Sequence, residues 1–415
     1  MTAQMNVPKL RFGCFSDTWE QKSITEVATK VTDGTHDTPK PVESGMPYIT
    51  AIHVKDGSID FDNCYYVTPE VHQAIYKRCN PEKGDLLLVN IGAGTATCAI
   101  NTYDAEFSMK NVALIKPDRE IIDPYFLEQI QRKSTARLFH RLTSGGAQPF
   151  FSLKEIKKLI HNYPNLPEQQ KIASFLSKVD EKITLLTEKK AKLTEYKKGV
   201  MQQLFNGKWD EQDGQLIFIP PTLRFKADDG SEFPDWTKST LGDIGKVKMC
   251  KRIMANQTSE NGDIPFFKIG TFGREPDAFI SQELYDEYRH KFSFPNVGDI
   301  LMSASGTLGR TVVYDGSPAY FQDSNIVWIE NDGSFTTNEF LFYVYQIVKY
   351  QSEGGTIQRL YNNIIMSAVF DNPSLKEQKK IVKFLSAIDQ KIDLANSELE
   401  KAKEWKRGLL QQMFV

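Results

Sequence analysis

No stretch of this 415-residue sequence approaches the ~20 consecutive apolar residues that cross a bilayer, so no membrane span is expected. Cysteine is scarce. Five residues, Cys14, Cys64, Cys79, Cys98 and Cys250, are scattered without a Cys-x-x-Cys pair, which argues against a disulfide framework or a zinc ribbon. The opening Met1-Thr-Ala-Gln-Met-Asn-Val-Pro8 lacks a basic segment running into an apolar core, so no secretory signal is expected. A reduced, cytoplasmic protein follows. An excess of charge of either sign is also missing: the formal net charge is −2. Nucleic-acid binders are often basic, but charge can be segregated on one face, so this balance excludes little.

Recognisable catalytic chemistry is absent too. There is no Gly-x-x-x-x-Gly-Lys-Ser/Thr loop for nucleotide phosphates. Gly92-Ala-Gly94 follows an apolar run but has neither the third glycine nor the acidic partner of a dinucleotide site. No Asp/Asn-Pro-Pro-Tyr/Phe tetrapeptide occurs; Asn372-Pro373-Ser-Leu lacks the second proline and the aromatic. The six histidines (His36, His53, His72, His140, His161, His290) are not spaced as metal ligands or as partners of a nucleophile. The expectation is a binding protein with no active site and no metal or cofactor of its own.

What is present is one stretch that occurs twice. Glu168-Gln-Gln-Lys-Ile-Ala-Ser-Phe-Leu-Ser-Lys-Val-Asp-Glu-Lys-Ile183 runs on to Tyr196-Lys-Lys-Gly-Val-Met-Gln-Gln-Leu-Phe205. Glu377-Gln-Lys-Lys-Ile-Val-Lys-Phe-Leu-Ser-Ala-Ile-Asp-Gln-Lys-Ile392 runs on to Trp405-Lys-Arg-Gly-Leu-Leu-Gln-Gln-Met-Phe414. Glu168 and Glu377, like Phe205 and Phe414, stand 209 residues apart. A period this long marks a duplicated half-protein rather than a solenoid. Both copies lack proline. Ile172, Leu176, Val179, Ile183 and Leu186 in the first, and Ile381, Leu385, Ile388, Ile392 and Leu399 in the second, form a heptad seam that predicts a coiled coil. About 38 residues at ~1.5 Å each give a rod of roughly 57 Å. Two matching seams are expected to pair with each other; the plainer alternative is that each helix packs only on its own globular part. Both helices carry runs of lysine, which a solvated face would also show.

The duplication extends into the globular parts. Pro8-Lys-Leu-Arg-Phe12 parallels Pro221-Thr-Leu-Arg-Phe225. Met46-Pro-Tyr-Ile-Thr-Ala-Ile-His-Val54 parallels Ile264-Pro-Phe-Phe-Lys-Ile-Gly-Thr-Phe272, and Gly84-Asp-Leu-Leu-Leu-Val89 parallels Gly298-Asp-Ile-Leu-Met-Ser303. Dense turn signals between β-branched runs predict compact α+β domains. The expected organisation is a globular domain over 1–165, a helix over 166–207, a second globular domain over 208–373 and a second helix over 374–415. Two similar domains in a pseudo-two-fold arrangement would present two recognition surfaces at a fixed separation. A rod of this length is of the right order for DNA segments a helical turn (~34–36 Å) or somewhat more apart.

This pattern resembles the specificity subunit of type I restriction–modification systems. The resemblance rests on the Pro-x-x-Glu-Gln lead-in (Pro164 to Gln169; Pro373 to Gln378), the Ile…Phe-Leu-Ser…Asp…Ile core and the Lys-Lys/Arg-Gly…Gln-Gln-Leu/Met-Phe exit, all present twice. One departure is His161-Asn-Tyr-Pro164, where the family usually has Ile-Pro-Leu-Pro. The resemblance implies two target recognition domains, each reading half of a bipartite, asymmetric site in double-stranded DNA. An antiparallel coiled coil would set the spacer and dock two methyltransferase subunits, which supply S-adenosylmethionine and the chemistry. Restriction subunits, with ATP and Mg, would complete the complex.

Base readout needs paired donors and acceptors on side chains such as Arg, Asn, Gln, Ser and Thr, on loops held by a scaffold. The first domain offers Lys30, Thr32, Asp33, Thr35, His36, Thr38 and Lys40, then Asn90 and Thr95 at the glycine break, then Ser144 and Gln148. The Thr-Asp-Gly-Thr-His-x-Thr-Pro run recurs in the recognition domains of the family it resembles; a plain polar turn is the alternative. The second domain offers Lys248, Lys251, Arg252, Lys268, Ser303, Ser305, Thr307, Arg310, Gln358 and Arg359. Two other functions stay open: a methyltransferase or nuclease with an unrecognised site, and a coiled-coil scaffold with no role on nucleic acid.

Overall fold

A computed structural model of the chain describes residues 7–92, 94–143, 150–212, 215–306, 308–350 and 359–415. The fold is α+β. Two compact units are present: Met1–Lys189 with Ala395–Val415, and Lys190–Leu394. The division cuts through both long helices, because each half of a helix packs into a different core.

The first unit is built on a four-stranded antiparallel sheet in the order Ala28–Asp33, Val112–Pro117, Leu86–Val89, Cys98–Ile100. The apolar run Leu86-Leu-Leu-Val89 is buried on both faces, which is why it does not alternate with polar residues. Leu86 and Leu88 turn to the core that holds Ile172, Leu176 and Val179, whereas Leu87 and Val89 turn to a second core with Ile49, Phe107 and Met109. A three-stranded sheet, Tyr65–Val67, Met46–Thr50, Ser108–Lys110, covers that second face. Its central strand pairs antiparallel on one side and parallel on the other. Glu20–Ser23 pairs with Ile160–Tyr163 at the approach to the long helix.

The second unit repeats this plan. Its main sheet runs Gly245–Lys248, Ile326–Asn331, Ile300–Ser303, Thr311–Val313, and its small sheet Phe279–Ile280, Ile264–Phe267, Tyr320–Phe321. Ile300 and Met302 face the core that includes Ile381, Leu385 and Ile388, and Leu301 faces the other. Thr237–Thr240 pairs with Val369–Asn372. A hairpin, Lys208–Gln212 with Gln215–Ile219, joins the long helix to this domain.

The long helices span Leu166–Leu204 and Leu375–Met413, 39 residues each. In the first unit the segments run antiparallel, since Asp180 meets Lys406 while Lys189 meets Glu398. Ile172, Leu176, Val179, Ile381, Leu385, Ile388 and Leu399 are buried as the seam requires. Ile183, Leu186 and Ile392 are only half-buried, so these three seam positions pack less tightly than the rest.

Candidate nucleic-acid interface

In the first unit the loop after Ala28–Asp33 is stapled down rather than free. Gly34 N and Thr35 N donate to Val112 O (3.0 Å) and Met109 O (2.9 Å). A Cβ at Gly34 would stand 2.1 Å from Met109 O, so only glycine permits this approach. Thr35 Oγ1 accepts from Asp37 N at 3.1 Å, and Lys110 Nζ donates to Thr38 Oγ1. Asp33 is buried, with its carboxylate shared between Arg78 and His36 Nε2 (2.9 Å). Lys30, His36, Thr38 and Lys40 are exposed, and Thr32 and Thr35 half-buried. Lys30 Nζ reaches Arg78 O (3.4 Å) and Asn80 Oδ1 (3.3 Å).

Asn90 and Thr95 lie elsewhere. Thr95 is fully buried and donates to Gly92 O at 2.6 Å. The backbone of Asn90 receives Phe151 N at 2.8 Å and donates to Asn111 O at 3.3 Å, drawing the residue inside to 1% exposure. Burial takes both side chains off the surface and away from any base edge; the backbone of Asn90 and the hydroxyl of Thr95 hold the glycine break in shape. Ser303, 2% exposed, is corrected on the same ground, its Oγ accepting from Arg310 N at 2.9 Å. Ser144, Gln148, Thr307 and Gln358 lie outside the described residues.

In the second unit Arg252 and Lys268 line one cleft of about 380 Å³, together with Gln322, Asp323 and Asn325. Arg252 Nε is paired with Asp323 Oδ2 at 2.9 Å, and Lys268 with Asp277 at 2.8 Å. Ser305 Oγ donates to Asn325 Oδ1 at 2.9 Å. Arg359 donates to Ser324 O at 3.3 Å and lies over the Tyr361 ring. So Arg252, Lys268, Ser305 and Arg359 gather around the Gln322–Asn325 turn. Lys248 is tied to Glu330 (3.3 Å) and Arg310 to Phe272 O (2.9 Å), whereas Lys251 lies over Phe292 at 5.1 Å. Sequence reasoning passed over Arg78, Lys110, Gln322 and Asn325. Thr68-Pro-Glu, an N-cap pattern, marks the helix Pro69–Arg78 that delivers Arg78. The nearby thiols of Cys79 and Cys250, pushed up to about 12 by burial, stay neutral and serve as packing groups.

Residues 16–195 and 234–404 each match the family described as the type I restriction modification DNA specificity domain. The chain belongs to this family. It is 53% identical over 178 residues to a putative type I restriction enzyme specificity subunit of Haemophilus influenzae; that match covers 41% of this chain and 46%, about half, of that relative's length. A putative type I restriction enzyme specificity subunit of Methanocaldococcus jannaschii is 23% identical over 435 residues, covering 99% of this chain and 96% of that one. In fold, the chain is similar to the S subunit of a type I restriction–modification system from M. genitalium, with TM-score 0.59 at 16% identity, covering 99% of both chains.

In this specificity-domain protein the twice-written motif is structural. Glu168, fully buried, receives Arg11 at 2.7 Å on both oxygens, and Glu377 receives Arg224 at 3.0 and 3.3 Å. The neighbouring glutamines close the joint. Gln169 Nε2 donates to Pro164 O and Ile121 O, and its Oε1 accepts from Asp123 N. Gln378 does the same with Pro373 O, Phe335 O and Thr337 N. The core aspartate meets the exit lysine of the other helix: Asp180 with Lys406 in the first unit, Asp389 with Lys197 (2.6 Å) in the second. The final aromatic docks likewise. Phe414 packs on Trp19 and Phe126 in the first unit, Phe205 on Trp236 and Phe340 in the second.

Proposed function

We propose that this chain is the DNA-recognition subunit of a type I restriction–modification complex, that it works in the cytoplasm, and that it carries no catalytic site or cofactor itself. The supporting observation is the duplicated unit. Each unit sets a loop cluster rich in hydrogen-bonding side chains on a two-sheet scaffold, and each locks its helices with the same Asp–Lys and Arg–Glu pairs. The two loop clusters differ in sequence, so the two DNA half-sites differ, and the paired helices set the spacer. Phosphate contacts supply position, and only base contacts supply sequence.

Partner docking has its own support. Leu185 and Leu394, Tyr196 and Trp405, and Ile160 and Val369 each stand 209 residues apart, and all six are exposed. Exposed apolar side chains repeated at equivalent positions suit two copies of one partner, the methyltransferase subunit. That subunit brings S-adenosylmethionine, and restriction subunits bring ATP and Mg. Partner subunits that share phosphate neutralisation also account for a net charge near zero.

The test is to combine the purified chain with the methyltransferase subunit encoded beside it. The expected product on a sizing column is one chain with two methyltransferase subunits, retaining and methylating DNA. Absence of any complex or DNA retention would favour a scaffold. Methylation or cleavage by the chain alone would favour an enzyme.

A further inference from the structure

In both units a mostly exposed arginine is tethered to a mostly buried aspartate at the same place, beside the end of the small-sheet strand that runs parallel to its neighbour. In the first unit the pair is Arg78 with Asp33, whose side chains are 54% and 6% exposed. Asp33 ends the strand Ala28–Asp33, and two residues on Thr35 bridges to Lys110, the end of Ser108–Lys110. In the second unit the pair is Arg252 with Asp323, 65% and 16% exposed, and Asp323 follows Tyr320–Phe321. The polarity is reversed along the chain: the end of the first main-sheet strand supplies the aspartate in one unit, and the loop after that strand supplies the arginine in the other. The pairs are therefore not inherited by simple copying, yet both place a guanidinium outward over a buried carboxylate.

We propose that Arg78 and Arg252 are the guanine-reading residues of the two half-sites. The inference rests on the DNA-recognition reading above. An arginine fork matches O6 and N7 of guanine in the major groove. Fixing the guanidinium in advance lowers the ordering lost on binding and sharpens the geometry. The buttressing carboxylate also offsets the positive charge, which weakens a bare phosphate contact while leaving N–H groups aimed outward for a neutral base edge. In Arg252 the tether uses Nε, so both terminal nitrogens stay available as a pair; in Arg78 it uses Nη2, which leaves Nη1 and the second Nη2 hydrogen for a base edge. Arg78 is further fixed as the last residue of the helix Pro69–Arg78, its carbonyl accepting from Lys30 Nζ at 3.4 Å. Each half-site is thereby expected to contain a G·C pair.

The experiment maps methylation on random-sequence DNA by the complex of the full chain with its methyltransferase subunit, for the unaltered chain and for Arg78→Ala, Arg78→Lys and Arg252→Ala. Arg78→Ala is expected to relax one G·C position in one half-site, with discrimination there falling about 10- to 100-fold. The other half and the spacer stay unchanged, and Arg252→Ala relaxes the other half. Arg78→Lys keeps charge and tether but not the fork, and relaxes the same position even if the alanine variant fails to fold. Retained half-site sequences with a uniform fall in methylation would overturn the inference, since the arginines would then contact phosphate or only tether the loop. A split motif with no G·C pair in one half would overturn it too. If the unaltered chain gives no split motif at all, the DNA-recognition reading fails first and this inference with it.

Discussion

Asp180 and Lys406 face each other across the paired helices of the first unit, and Asp389 and Lys197, the same two motif positions with the helices exchanged, do so in the second. One motif thus writes both sides of each contact. Its aspartate serves the unit where its helix begins and its lysine the unit where its helix ends, so one duplicated stretch suffices for both crossings.

Lys406 is 7% exposed, and burial pulls its ammonium below the usual lysine range. Asp180 also receives Arg132 at 3.1 Å. Removing one partner of a buried pair is costlier than replacing both. Asp180→Ala strands the buried Lys406 and takes one of two carboxylates from Arg132, which keeps Asp56 at 2.6 and 2.9 Å, and is expected to cost on the order of 3 kcal/mol. Lys406→Met leaves Asp180 with Arg132 and should cost clearly less. Urea unfolding followed by circular dichroism makes the comparison; equal losses would show that the aspartate does not serve both cations.

The helix starts should respond the same way. Glu168 and Glu377 are 0% exposed and each is held by one arginine. Glu168→Ala leaves Arg11, only 11% exposed, without its partner, at a cost on the order of 3 kcal/mol. The double change Arg11→Met with Glu168→Met should recover most of that loss. A double-mutant cycle measures it, and strict additivity would mean the pair is not coupled.

Asp299 gives a pH signature. Burial raises its carboxyl above the ordinary range, outweighing hydrogen bonds from Asn296 N (2.7 Å) and Asn338 Nδ2 (3.3 Å). The folded state therefore binds this proton more tightly than the unfolded chain, and its contribution to stability is lost as pH rises from about 4 through the raised value. Asp299→Asn lacks this slope. Melting temperatures across that range should show the native chain losing ground to the variant as pH rises; a gain would contradict the assignment.

Gly34→Ala places a methyl against Met109 O and should lift the 34–40 loop from Ser108–Lys110. Overpacking of this kind costs about 1–3 kcal/mol. Methylation specified by the first domain should weaken while the other half-site is read normally. An unchanged methylation pattern would show that this loop does not meet DNA.

The duplication and the two long helices were legible in the sequence, because periodicity and offset survive without knowing any contact. The Glu-Gln lead-in was legible as a motif but not as a joint. Its partners, Arg11 and Arg224, lie more than 150 residues away along the chain, although both sat in the matched Pro-x-x-Arg-Phe runs. Asn90 and Thr95 were chosen for polarity, and pairing of the Asn90 backbone with Phe151 and Asn111 and of Thr95 with Gly92 O had already taken them inside. Arg78 was missed because its significance lies in Asp33, which sequence shows only as one acid in a polar loop.

The most direct test of the account is the methylation map of the complete complex, made again after residues 1–165 are exchanged for those of a relative. The account predicts a split motif of two unlike half-sites at fixed spacing, with the exchange rewriting one half and leaving the other half and the spacer intact. A continuous motif, or an exchange that alters both halves together, would contradict it.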